Sequence, residues 1–241
     1  MGRANLRLGV LTLALAASLA ALLLSRGRLS MPPEWSLPPE WSPWVPLDID
    51  AAPNLLTRYK LSRLSDDADL CTQVLAQAAM TFRALPDEAT GPECGLFDAV
   101  TIERTASDVG QPFSLTCRAA VSLALWEKHA VAPAAELHFA SPVQRIEHFG
   151  SYACRNVYGR PDATRSRHAM AEAFDVAGFV LADGRRIRVL GDWSSDSAAA
   201  RFLRDVRDGA CRFFDGVLSP DYNAAHSDHL HLDRGRYGYC R

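Results

Sequence analysis

Three of the chain's seven histidines fall in the stretch HSDHLHLD, residues 226–233. His229 and His231 are spaced H-x-H, and residues two apart on a strand point to one face. Imidazole nitrogens are good ligands for zinc and related ions. A second stretch, RSRHAMAEAFDVAGF (165–179), holds His168 and Asp175 in the pattern H-x6-D. On a straight helix, residues seven apart lie about 10 Å apart along the axis, too far to share an ion with ligand bonds of about 2 Å. On one strand they would face opposite sides. The chain must therefore turn between them, with His168 on a loop or helix end and Asp175 entering the strand FDVAGFVLA. A turned H-x6-D with a downstream H-x-H makes a workable site of two histidines and one carboxylate. Its fourth position stays open, the arrangement of hydrolytic zinc sites, with one Zn2+ per chain. The same donors suit several divalent ions.

The elements that must position these residues read as a mixed set. SDDADLCTQVLAQAAMTFRAL, with Ser65 as N-cap and acids in its first turn, predicts a helix. TCRAAVSLALWEKHAV predicts another, with Val121, Leu125 and Trp126 facing the core. SAAARFLRDVRDGACRFF places Phe202, Leu203, Val206 and Ala210 at helical spacing. AVTIERT reads as a strand. PVQRIEHFGSYACRNVYG reads as strand, glycine turn, strand. FDVAGFVLADGRRIRVL is two apolar runs around Asp183-Gly184, a hairpin signal. A Pro/Asn loop then leads into a short final strand carrying the H-x-H. Helices mixed with hairpins argue an α+β fold, an antiparallel sheet flanked by helices.

Charge and cysteines bound the setting. The net charge is −2 at pH 7, and no basic stripe appears, which argues against nucleic-acid binding. Leu8–Leu24 is uncharged, and as a helix it reaches about 26 Å, close to a bilayer core. We read residues 1–28 as an N-terminal inner-membrane anchor, single-pass, with a cleaved signal peptide and secretion to the periplasm as the alternative. Residues 29–56 hold the tandem PPEWS, at 32–36 and 38–42, and read as a Pro/Trp-rich spacer. Residues 57–241 make the folded domain. Six cysteines, none in C-x-x-C spacing, predict three disulfides in an oxidising compartment, the periplasm in a bacterium. Their pairing stays open among fifteen connectivities. His129, His138 and His148 read as surface or cap residues.

The spacing Ser166-x-His168 followed by Ala173-x-Asp175, with the terminal D-H-x-H-x-D that holds His229 and His231, resembles the signature of the lysostaphin, D-Ala-D-Ala peptidase and hedgehog zinc metallopeptidases. More closely, GSYACRNVYGR, DVAGFVLADGRRIRV, FLRDVRDGACRFF and LSPDYNAAHSDHLHLD look like the bacterial extensin-like C-terminal domain. That name reflects likeness to a plant wall protein and says little about chemistry. The resemblance implies a disulfide-stapled, D-Ala-D-Ala peptidase / hedgehog-like fold. It implies His168, Asp175 and His231 as metal ligands and His229 as the group that assists catalysis. His226 matches a further active-site histidine. Asp228 stands where dipeptidase-like members carry a Glu base. Arg155 resembles an arginine that holds a substrate carboxylate or a developing oxyanion. Ser166 fixes the loop or contacts substrate. The pattern departs at Ala171, where the family motif usually has Gly.

Together these imply a periplasmic zinc-dependent peptidase, of carboxypeptidase or endopeptidase type, that hydrolyses amide bonds in peptidoglycan peptides. The alternative is a non-catalytic, zinc-containing wall-binding or scaffold domain. The expected partners are peptidoglycan and the inner membrane, the latter through residues 8–24.

Overall fold

The computed structural model describes residues 2–25, 37–235 and 238–241. The first PPEWS copy, with Trp35, lies outside them. The chain divides into two compact units, Met1–Ser42 and Pro43–Arg241. In the first, helix α1 (Gly2–Ser25) spans the uncharged run, and Leu13, Leu15, Leu19 and Leu22 on it are exposed. Among the described residues, no helix is long and apolar enough to cross a membrane.

The second unit is α+β. Its helices are α2 (Thr57–Arg63), α3 (Ala68–Leu75), α4 (Cys117–Trp126), α5 (Ala132–Phe139), the single turn α6 (Val189–Asp192) and α7 (Ala198–Ala210). Its strands are β1 (Thr81–Ala84), β2 (Glu88–Gly91), β3 (Cys94–Leu96), β4 (Ala99–Arg104), β5 (Phe113–Thr116), β6 (Val143–Gly150), β7 (Ala173–Leu181), β8 (Arg186–Arg188), β9 (Gly216–Leu218), β10 (Leu230–Asp233) and β11 (Tyr239–Cys240). The main sheet runs β11-β9-β10-β7-β6, with β8 also on β7. Its pairs are antiparallel except β11 with β9. A smaller antiparallel sheet runs β1-β4-β5, and β2 pairs with β3.

Apolar burial explains which face of the main sheet is which. Phe174, Val176, Leu230 and Leu232 enter the core, as do Trp126 of α4 and Phe202 of α7. The Phe179 ring lies 6.0 Å from Trp126 and 5.0 Å from Phe202, so β7 is clamped by two helices. The Trp126 indole N–H is satisfied by the Val206 carbonyl at 2.7 Å. Strand alternation then sends Asp175, His231 and Asp233 to the other face. Leu47 and Ile49, within the 29–56 stretch, are also buried in this core.

Some elements depart from the sequence reading. The helix predicted from Ser65 starts later, with Asp67 as N-cap accepting from the Leu70 N–H at 2.9 Å. It ends at Leu75, and Thr81–Ala84 is a strand because it pairs with β4. The strand expected after the glycine turn of GSYACRNVYG does not form. Residues 151–158 instead lie against the His168 turn and are tied to β3 by Cys94–Cys154. The other disulfides are Cys71–Cys117, joining α3 to α4, and Cys211–Cys240, fastening the C-terminus to the end of α7.

Between α4 and α5 the chain takes a π-helical stretch, Glu127–Val131. Glu127 is buried there. One carboxyl oxygen accepts from the Ser107 N–H at 3.1 Å, and the other has no partner among the described residues. Burial pushes this carboxyl above its ordinary value, against the hydrogen bonds from Thr105 and Ser107. A carboxyl raised on folding favours the native state only while protonated. Stability should therefore fall as pH rises above the unfolded-state value toward the folded one. Glu127→Gln should abolish that slope. Urea unfolding at pH 5 and pH 8 should show the variant gaining stability relative to the wild type at the higher pH.

Candidate metal centre

His168 sits on a 3-10 turn, Arg167–Met170, whose N-cap Ser166 accepts from the His168 N–H at 3.3 Å. The turn closes at Ala171, which is left-handed at φ 51 and ψ 30. That conformation costs a residue with a Cβ about 1 kcal/mol, a cost that glycine would not carry. The reversal brings the chain into β7 two residues before Asp175, as the H-x6-D spacing requires. Across the sheet, His231 of β10 is paired in register with Asp175. The two motifs therefore meet through ordinary strand pairing.

Three groups converge here. His231 Nδ1 lies 2.9 Å from Asp175 Oδ1. His168 Nε2 lies 3.1 Å from Asp175 Oδ2 and 3.2 Å from His231 Nδ1. One ligand atom from each can be chosen so that all lie within 4.8 Å. Tetrahedral ligands at bond lengths of about 2.1 Å stand about 3.4 Å apart, so the spacing fits a small ion with little adjustment.

The outer bonds decide which ring nitrogens face inward. His168 Nδ1 is 2.6 Å from the Ser151 carbonyl, which only accepts, so Nδ1 donates there and Nε2 is turned toward Asp175 and His231. Gly150, at φ 101, turns the chain off β6 to deliver that carbonyl. His231 Nε2 is 3.1 Å from Asp233 Oδ2, which leaves Nδ1 toward Asp175. Asp233 is itself buried and accepts from the Gly235 N–H at 2.6 Å and the Tyr239 hydroxyl at 2.9 Å. A Cβ on Gly216 would stand 2.2 Å from Asp233 Oδ2, so only glycine leaves room for this carboxylate.

The charges agree with a cation-seeking site. Burial alone would raise Asp175, but the hydrogen bonds and charges of His168 and His231 hold it far below the usual carboxylate range. Burial alone would lower His231, yet its bonds to Asp175 and Asp233 outweigh that and raise it to about 9. Without a metal, a proton on His231 answers the negative charge that an ion would otherwise answer.

The remaining predicted residues surround this centre. His229 Nδ1 is held by Asp228 Oδ1 at 2.8 Å, and its Nε2 lies 3.6 Å from Asp175 Oδ1. Asp228 thus stands behind His229. His226 is buried, its ring 5.2 Å from that of His229 and 5.9 Å from that of His231. Burial, with the charges of His231 and His229 added, lowers it to about 4. Arg155 is exposed and lines the same cleft, of about 460 Å³. Its side chain has no hydrogen-bond or ion-pair partner among the described residues. His129, His138 and His148 lie elsewhere. His129 and His148 are half-buried on backbone carbonyls, and His138 pairs with Asp205.

The description "Extensin-like protein C-terminus" belongs to the family whose pattern residues 69–241 match, a span holding every residue of the centre. The chain belongs to that family. No curated protein and no solved structure matches it. In this extensin-like C-terminal domain, sequence reasoning left unassigned the Ser151 carbonyl, Asp233 and Tyr239. Asp233 had a signal, since it extends the alternation H-x-H to H-x-H-x-D. A backbone carbonyl has none.

Proposed function

We propose that this extensin-like domain is a zinc-dependent peptidase of the lysostaphin / D-Ala-D-Ala peptidase / hedgehog type, acting on amide bonds in peptidoglycan peptides. The observation that carries the reading is the convergence of His168 Nε2, His231 Nδ1 and the Asp175 carboxylate, with His229 Nε2 beside them. His168, Asp175 and His231 would hold one Zn2+, leaving the cleft side open. When bound, such an ion supplies Lewis acidity, polarising a carbonyl and activating water.

The protein groups then divide the work. His229, anchored by Asp228, takes the proton of the attacking water at Nε2 and returns it to the leaving amine. Asp228 orients that ring and is the second candidate for the proton. His226 Nδ1 lies 2.8 Å from Asn223 Oδ1, an acceptor, so its proton faces Asn223 and Nε2 offers a lone pair. It accepts from a substrate N–H. Developing negative charge, or a substrate carboxylate, falls to Arg155. Ser166 fixes the His168 turn and faces the same cleft.

The location is part of the proposal. Three disulfides support a periplasmic setting. The exposed leucines of α1 support a segment that holds the domain at the inner membrane or directs it across.

Full-length protein incubated with purified peptidoglycan should release new amine termini, and a chelator should stop the release. Release of none, with zinc bound, would leave a wall-binding or scaffold role. The outer bonds make a further prediction. Asp233→Asn should weaken zinc binding roughly 10–100-fold by chelator competition. An unchanged affinity would show that His231 needs no carboxylate behind it.

A further inference from the structure

Three aromatic side chains near the centre are exposed: Phe149 at 61%, Tyr158 at 47% and Tyr222 at 48%. The Phe149 ring meets that of His229 at 5.8 Å. Tyr158 and Tyr222 meet the ring of His226 at 6.4 and 5.7 Å. His226 and His229 adjoin, so the rings form one continuous row beside the metal ligands. Tyr158 holds its place under strain. It is left-handed, at φ 55, a conformation that favours glycine. The Asn223 amide donates to its hydroxyl at 2.9 Å, and the Arg160 guanidinium lies 5.6 Å from its ring centre.

We infer that this row is a sugar subsite, so that the centre takes peptide carried on a glycan in preference to free peptide. The inference rests on the peptidoglycan reading above and names the part of that polymer the rim would touch. A pyranose ring presents a face of weakly positive C–H groups and an edge of polar substituents. An exposed aromatic ring offers a negative face to the first. Asn223 and Arg160, which contact Tyr158, and Arg155, which lines the same cleft, would serve the second. The cleft wall argues the same way. Its aliphatic members are Val157, Leu218 and Ala225, and the rest is polar, charged or aromatic. That wall suits flat, hydroxylated rings better than it would engulf a large apolar side chain.

The test is calorimetric binding to the full-length protein in detergent, with turnover blocked by chelator. The probes are an N-acetylglucosaminyl–N-acetylmuramyl peptide and the same peptide without sugars. The wild type should bind the sugar-linked probe at least tenfold more tightly. Tyr158→Ala and Tyr222→Ala should each lose most of that preference, while Tyr158→Phe, which keeps the ring, should retain it. Zinc content of each variant, measured before chelation, should match the wild type and reports that the fold is intact. Equal binding of both probes by the wild type would overturn the sugar subsite. So would variants that weaken both probes alike. Sugar-selective binding without metal-dependent hydrolysis would instead overturn the peptidase reading and leave this one standing.

Discussion

Replacing His229 with alanine is expected to leave the metal bound and to reduce turnover by about 10²–10⁴-fold, the usual worth of a positioned acid-base group. His229 Nε2 is 3.6 Å from the Asp175 carboxylate, close enough to serve a water held there, while Nδ1 is committed to Asp228. The ring lies beside the three converging groups and is not one of them. Elemental analysis and release of amine termini, run on the same preparation, separate the two effects. Asp228→Asn should cost less than His229→Ala, because it loosens the ring without removing it. Loss of the metal with His229 would mean that the histidine is a ligand and that the proton passes through another group.

Asp175→Ala should have the opposite signature, with metal affinity falling by roughly 10³-fold or more and turnover with it. Asp175 is the only carboxylate among the three converging groups and bonds to both imidazoles. Without it, two histidines face each other with no negative charge between them. His231 also loses one of the two partners that raise it to about 9, so its proton is held less tightly. Asp175→Asn keeps the shape without the charge and should be nearly as damaging. Circular dichroism of both variants checks that the fold survives. A variant that stays folded and still binds zinc at wild-type affinity would place the ion elsewhere.

How much of this was legible depended on which interactions leave a mark in the chain. The H-x6-D spacing demanded a turn before Asp175, and the turn is there, closed at Ala171. Alternation in HLHLD put His229 and His231 on one face, and both reach Asp175 while Leu230 and Leu232 enter the core. The Asp183-Gly184 hairpin and the apolar stripe of α7 were equally readable, because local chemistry and burial agree. What escaped was set by tertiary pairing. Gly216–Leu218 and Tyr239–Cys240 are too short to announce themselves as strands, and they form because β10 and a disulfide hold them. Residues 151–158 looked like a strand, but their backbone serves the His168 turn instead. The three disulfide pairings have no local signature at all.

On the proposed function, His168, Asp175 and His231 of this extensin-like domain hold one divalent ion. The most direct measurement is a zinc titration of the metal-free, full-length protein at pH 7.5, followed by elemental analysis after desalting. One equivalent of zinc per chain, retained through desalting, is the expected result. A folded, disulfide-intact protein that retains none would contradict it.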